Sequence, residues 1–118
     1  MQFFRGDRIA GTFQVSVCEG DPDSLDAIIL RPLRYISRHS PDGFAWGRIN
    51  RGAADLALAI CSEILGHNAP VMIARFVVVE LIAPLDAEKG WTLPRTRVLD
   101  SMARAYGAAG SGLGQVRL

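Results

Sequence analysis

The strongest constraint in this sequence is a helix with almost no face to give to water. Leu56, Ile60 and Ile64 recur as one helical row, and Leu58, Cys61 and Leu65 widen it. Asp55, Ala59, Ser62 and Glu63 leave only a narrow polar stripe. Asn50 or Gly52 can cap its start, Asp55 in the first turn suits the positive helix end, and Gly66 follows where a left-handed cap is expected. A helix this apolar has to be enclosed, so the remaining chain must supply its walls.

The walls read as strands before it and helices after it. Thr12 to Cys18 alternates, with Phe13, Val15 and Val17 on one side, which is the pattern of a half-buried strand. Gln2 to Arg5 precedes it, and Arg5-Gly6-Asp7-Arg8 reads as a turn, giving an N-terminal hairpin whose exact turn Gly11 leaves open. Leu25 to Leu30 is apolar and stops at Arg31-Pro32. A third strand is expected at Leu33–Ser37, pairing with Phe44–Gly47 across the turn Ser40-Pro41-Asp42-Gly43. Ala69 to Leu85, charged only at Arg75 and Glu80, reads either as a buried helix or as a central strand. In the last helix Leu99, Met102, Ala103 and Tyr106 form the apolar face and Gly107 marks the stop. The expected fold is α+β: a small antiparallel sheet, an N-terminal hairpin plus one or two further strands, packed against two or three helices. Residues 1–106 form a single domain in this reading, and 107–118 a flexible glycine-rich tail.

At 118 residues, 49% hydrophobic and 21% charged, the chain supports one real core and is not disordered. A net charge of +1 gives no global pull towards nucleic acid or an anionic membrane. The local distribution is more polar. Glu19 to Asp26 holds four acids and no base, while Arg31 to Arg51 holds five arginines against Asp42. Twelve of the thirteen basic residues are arginine, which suits either a GC-rich coding genome or bidentate anion recognition. Two distant cysteines, Cys18 and Cys61, and no signal-peptide pattern predict a soluble, reduced, cytoplasmic protein. No apolar run approaches the length of a membrane span.

Several chemistries are disfavoured by pattern. Lys89 follows no glycine-rich phosphate loop, and the late Gly110-Ser111-Gly112-Leu113-Gly114 lacks the strand that a dinucleotide fingerprint requires. His39, His67, Cys18 and Cys61 have no metal-ligand spacing, so no metal and no cofactor are expected. His39, Ser40 and Asp42 list the residue types of a triad, but their order is better explained as turn chemistry, and no catalytic residue is assigned. The candidate site is the helix-start loop. Arg48, Asn50, Arg51 and Gly52 offer donors at a positive helix end, and Trp46 beside them offers a stacking surface. Arg31, Arg34 and Arg38 are a secondary basic face.

These residues also carry a resemblance. Ser40-Pro41-Asp42-Gly43-Phe44-Ala45-Trp46-Gly47, followed by Ala54-Asp55-Leu56-Ala57-Leu58-Ala59-Ile60, is similar to the signature of a family of short bacterial and phage proteins. That family is catalogued only as a domain of unknown function. The segments Gly6–Val15 and Trp91–Leu93 extend the likeness over most of the chain. Where the family reads Y-G-G-S-G-P, this sequence has Arg48-Ile49-Asn50-Arg51-Gly52-Ala53, a less permissive and more basic loop. The resemblance implies a mobile-element origin and brings no activity. The resulting expectation is a non-enzymatic interaction module that binds an acidic protein or nucleic-acid partner through this loop, as an inhibitor of a host defence complex would. The competing expectation, from another class, is a small enzyme or ligand-binding domain for a phosphorylated metabolite at the same loop.

Overall fold

In a computed structural model, which describes the backbone of residues 1–117 and the side chains of residues 1–108, the sheet has four antiparallel strands. β1 (Gln2–Ile9) and β2 (Thr12–Glu19) pair from Gln2↔Glu19 to Ile9↔Thr12. Their turn is Ala10-Gly11, with φ of 51° and 79°, the pair of positive values that matches the twist of a tight hairpin. The turn expected at Arg5–Arg8 is therefore absent, and β1 runs straight through Gly6. The reason lies far along the chain. A Cβ on Gly6 would sit 2.2 Å from the ring of Trp91, so the missing side chain is what lets that indole lie across the strand.

β4 (Trp91–Pro94) pairs with β1, and β3 (Ile28–Pro32) pairs with β2, giving the order β3-β2-β1-β4. The third strand thus lies earlier than the expected Leu33–Ser37. Pro32 has no N–H to continue a ladder, and Leu33, after one bond to the Val15 carbonyl, turns into the core. The expected second hairpin is held by side chains instead of backbone. Tyr35 stacks on Phe44 with ring centroids 4.0 Å apart, and its hydroxyl accepts from the Phe44 N–H at 3.0 Å. The Ser40–Gly43 turn does close, with the Gly43 N–H donating to the Ser40 carbonyl.

α1 (Arg51–Leu65) begins at Asn50, whose side chain accepts from the Ala53 N–H at 2.8 Å, and ends at Gly66 with φ 76°. Its polar stripe is not exposed as expected: Asp55, Ala59 and Ser62 are all buried. The polar pair acts as internal ties. Ser62 Oγ accepts from the Ala69 N–H at 2.9 Å, fixing the turn into the next helix. That helix, α2 (Val71–Val77), runs into a π-helical turn (Val78–Ile82), so the stretch 69–85 is helical and not a strand. Ile73, Ala74, Val77, Val78, Leu81 and Ile82 face the core at helical intervals. In α3 (Arg95–Arg117) the buried face is Val98, Ser101, Met102 and Ala105, while Ala103 and Tyr106 are exposed. The helix is thus rotated by about one position from expectation, because Val98 is drawn into the core beside β4. It passes Gly107 without stopping, since one internal glycine costs only about 1 kcal/mol relative to alanine. Residues 109–118, most of the expected tail, lie outside the residues whose side chains are described.

The helices cover one face of the sheet, made by Phe4, Val15, Val17, Trp91 and Leu93. Trp46 fills the centre of this layer, 5.5 Å edge-on to Trp91 and 4.3 Å from Phe13, with its indole N–H donating to the Lys89 carbonyl. The other face carries Phe3, Arg5, Asp7, Cys18 and Thr92 and, among the described residues, is overlaid by the 22–29 segment. A trough of about 670 Å³ remains there. Among the described residues no helix is long and apolar enough to cross a membrane.

Candidate anion-binding cleft

The site begins with a buried acid. Asp55, the fifth residue of α1, lies beyond the first turn and does not serve the helix end, which Asn50 already caps. Its Oδ2 accepts from the backbone N–H groups of His39 (2.8 Å) and Ser40 (3.0 Å), and His39 Nδ1 stands 2.8 Å from Oδ1. An ionised carboxylate only accepts, so Nδ1 carries the proton in this pair. One side chain thereby fixes the long irregular segment between β3 and α1. A Cβ on Gly52 would meet the Gly43 carbonyl at 2.7 Å and Ala45 at 2.8 Å, so the same segment lies directly on the helix start.

This clamp builds one wall of a cleft of about 510 Å³ between α1 and α2. Ala54, Leu58, Val71 and Ala74 make its floor, and Arg51, Arg75 and His39 stand around it. Four other arginines are neutralised locally: Arg5 by Asp7, Arg8 by Glu88, Arg31 by Glu63 and Arg104 by Glu80. The Arg104 guanidinium holds the Glu80 carboxyl below its ordinary range. Among the described residues neither Arg51 nor Arg75 joins an ion pair. Two planar donors above an apolar floor suit a carboxylate or phosphate carried on an apolar stem.

The helix-start residues do not form one site. Arg51 faces this cleft. Arg48 and Asn50 line a separate hollow of about 250 Å³ that also contains Asp42 and Glu88, and Asn50 is occupied as the helix cap. Trp46 is only 1% exposed, so the stacking surface expected of it is closed by Phe13 and Trp91. Gly52 is buried under Gly43 and Ala45. The secondary basic face is also divided. Arg31 reaches Glu63 on α1, Arg38 lies 5.1 Å over the Tyr35 ring and donates to the Pro41 carbonyl, and Arg34 is exposed beside the end of α1. His39 and Arg75 were not among the expected binding residues. Two signals point to them: an aspartate within an otherwise apolar helix needs a partner, and Arg75 is the one base in the apolar stretch 69–85. Among the described residues no three His, Cys, Asp or Glu side chains gather as metal ligands.

The sequence from Phe4 to Arg104 matches the Family of unknown function (DUF6166). The chain belongs to this family. No curated protein and no solved structure matches it. The matched region takes in the whole sheet apart from the first two residues of β1, all of α1 and α2, and the Asp55 clamp, so the cleft falls within the family's shared domain.

Proposed function

We propose that this protein is a non-enzymatic interaction module whose α1–α2 cleft receives an acidic side chain from a partner protein. The observation that carries this reading is the convergence of Arg51 and Arg75 on an apolar floor whose one acid, Asp55 in the wall, is already taken up by His39 and Ser40. A glutamate or aspartate satisfies both parts: its methylenes lie against Leu58 and Val71 while its carboxylate bridges the guanidiniums. His39, held by Asp55, supplies a third polar group at the mouth. Extended nucleic acid is the poorer fit, because Arg31 and Arg38 are engaged within the chain and Arg48 stands apart beside Asp42 and Glu88. The family resemblance implies a mobile-element setting, and within it the module we propose would block a host defence complex. Neighbouring phage or defence genes would support that setting, and a housekeeping operon would count against it.

A second reading shares the site. A cleft of about 510 Å³ lies within the range of small-ligand pockets, so a phosphorylated metabolite is the alternative occupant. Titration by NMR with a short glutamate-rich peptide and, separately, with phenyl phosphate tests both. The expected result is that the peptide shifts the signals of Arg51, Ala74 and Arg75, and that Arg51→Ala with Arg75→Ala abolishes the effect. Shifts with phenyl phosphate alone favour the metabolite. Peptide shifts that survive both substitutions would remove the cleft from the account.

A further inference from the structure

β3 is the terminal strand of the sheet, and among the described residues no strand pairs with its outer edge. Leu25, Ile28, Ile29 and Leu30 are 104%, 57%, 57% and 51% exposed, four large aliphatic side chains within six consecutive residues. The opposite edge is built differently. In β4, Trp91 and Leu93 turn into the core, only Thr92 is exposed, Pro94 ends the strand, and Lys89 and Arg95 flank it. Lysine and proline beside a short strand are the usual means of keeping an edge single. At β3, proline closes only the C-terminal end, and the other end is open.

Charge decides what fits there. The segment before the apolar run carries Asp21, Asp23 and Asp26, and the segment after it carries Arg31 and Arg34. Asp21, Asp23, Asp26 and Arg34 join no ion pair among the described residues. An antiparallel partner strand with the same sequence would bring its basic end to this acidic end, and its acidic end to this basic end. A parallel partner would set acids beside acids and arginines beside arginines.

We propose that the occupant is a second copy of this chain, paired β3 to β3 in antiparallel sense about a two-fold axis perpendicular to the sheet. The two sheets then join into one of eight strands with their outer faces on the same side. Ile28–Leu30 of the two copies lie against each other, and the troughs lined by Phe3, Cys18, Leu25 and Ile29 become continuous across the axis. The interface is isologous, so it closes at two copies. This surface is independent of the α1–α2 cleft, which lies on the helical side.

Sedimentation velocity on the whole chain reads the result directly. The expected species has twice the 12.8 kDa mass of the chain, dissociating on dilution. A monomer at every concentration, or an open series of larger species, overturns the proposal. Ile29→Lys should give a monomer with unchanged circular dichroism, and a persistent dimer would place the interface elsewhere and overturn it. Arg34→Glu, a change at an exposed position, should weaken association about tenfold by opposing like charges at two symmetric places. Adding Asp26→Arg to Arg34→Glu should restore it. Failure of the double variant to recover would overturn the antiparallel charge register.

Discussion

The two faces of the sheet are built on different principles. The helix-covered face is made of interlocked shapes: Gly6 is bare so that Trp91 can lie on it, and Trp91 meets the edge of Trp46, which in turn rests on Phe13. The outer face is made of chemistry that tolerates water. It carries the Arg5–Asp7 pair, the buried thiol of Cys18 and a loop whose Leu25 is fully exposed. One face has a single way to pack and the other has room to accept something else. The same sheet can therefore be rigid on the side that positions the cleft and permissive on the side that does not.

Substitutions should sort by face. Trp46→Ala removes the centre of the interlocked layer and should cost about 3–5 kcal/mol in denaturant unfolding, the largest loss of the set. A loss below about 1 kcal/mol would mean that this layer is not the core it resembles. Gly6→Ala places a methyl group inside the Trp91 ring and should cost about 1–3 kcal/mol. Its companion, Gly11→Ala in the hairpin turn, meets no atom within 4 Å and suffers only from its φ of 79°.

The two thiols give a titration version of the same contrast. Burial pushes the Cys61 thiol up to about 12 and raises Cys18 as well, the latter with Arg5 pulling down and Asp7 pushing up. Above the ordinary thiol range the unfolded chain loses the Cys61 proton while the native chain keeps it. Native protein then binds more protons, and stability falls as pH rises, by about 1.4 kcal/mol per unit for this group between pH 9 and about 12. Cys61→Ala should flatten that part of the stability–pH curve relative to the parent; identical slopes would refute the assignment. The smallest effect should come from Leu25→Ser. With the side chain fully exposed in the single chain, thermal unfolding of dilute monomer should move by less than about 0.5 kcal/mol.

What the sequence disclosed follows from how far apart the deciding residues lie. The β2 alternation and the Asn50 and Gly66 ends of α1 are local signals, and all three are present in the structure. Gly6 reads locally as a turn, and only Trp91, 85 positions later, makes it a strand residue. Ala69–Leu85 satisfies both helical and strand patterns because nearly every side chain in it is apolar; its position against α1 and α3 decides. Of the residues lining the candidate cleft, Arg51 alone was singled out from the sequence, since a basic residue at a helix start is visible there. Its companions were not. Arg75 arrives from another helix, and His39 is turned towards the cleft by a carboxylate 16 positions away. Trp46, adjacent in sequence to the loop, was taken instead by the core, because an indole that can meet two aromatic rings and a carbonyl gains more from burial than from a solvent-facing platform.

The widened turn at Val78–Ile82 sets the spacing of the inward side chains on either side of it. The inward side chains here come in pairs four residues apart, Ile73 and Ala74, Val77 and Val78, Leu81 and Ile82, a spacing longer than the 3.6 residues of an α-helical turn. A π-helical turn holds one residue more than an α-helical one, so it keeps the later pair on the face that the earlier pairs set. The surplus is absorbed locally so that neither flank has to rotate. Family members one residue shorter at this place should carry an unbroken α-helix, with the same inward residues on either side and the exposed Val79 missing from between them.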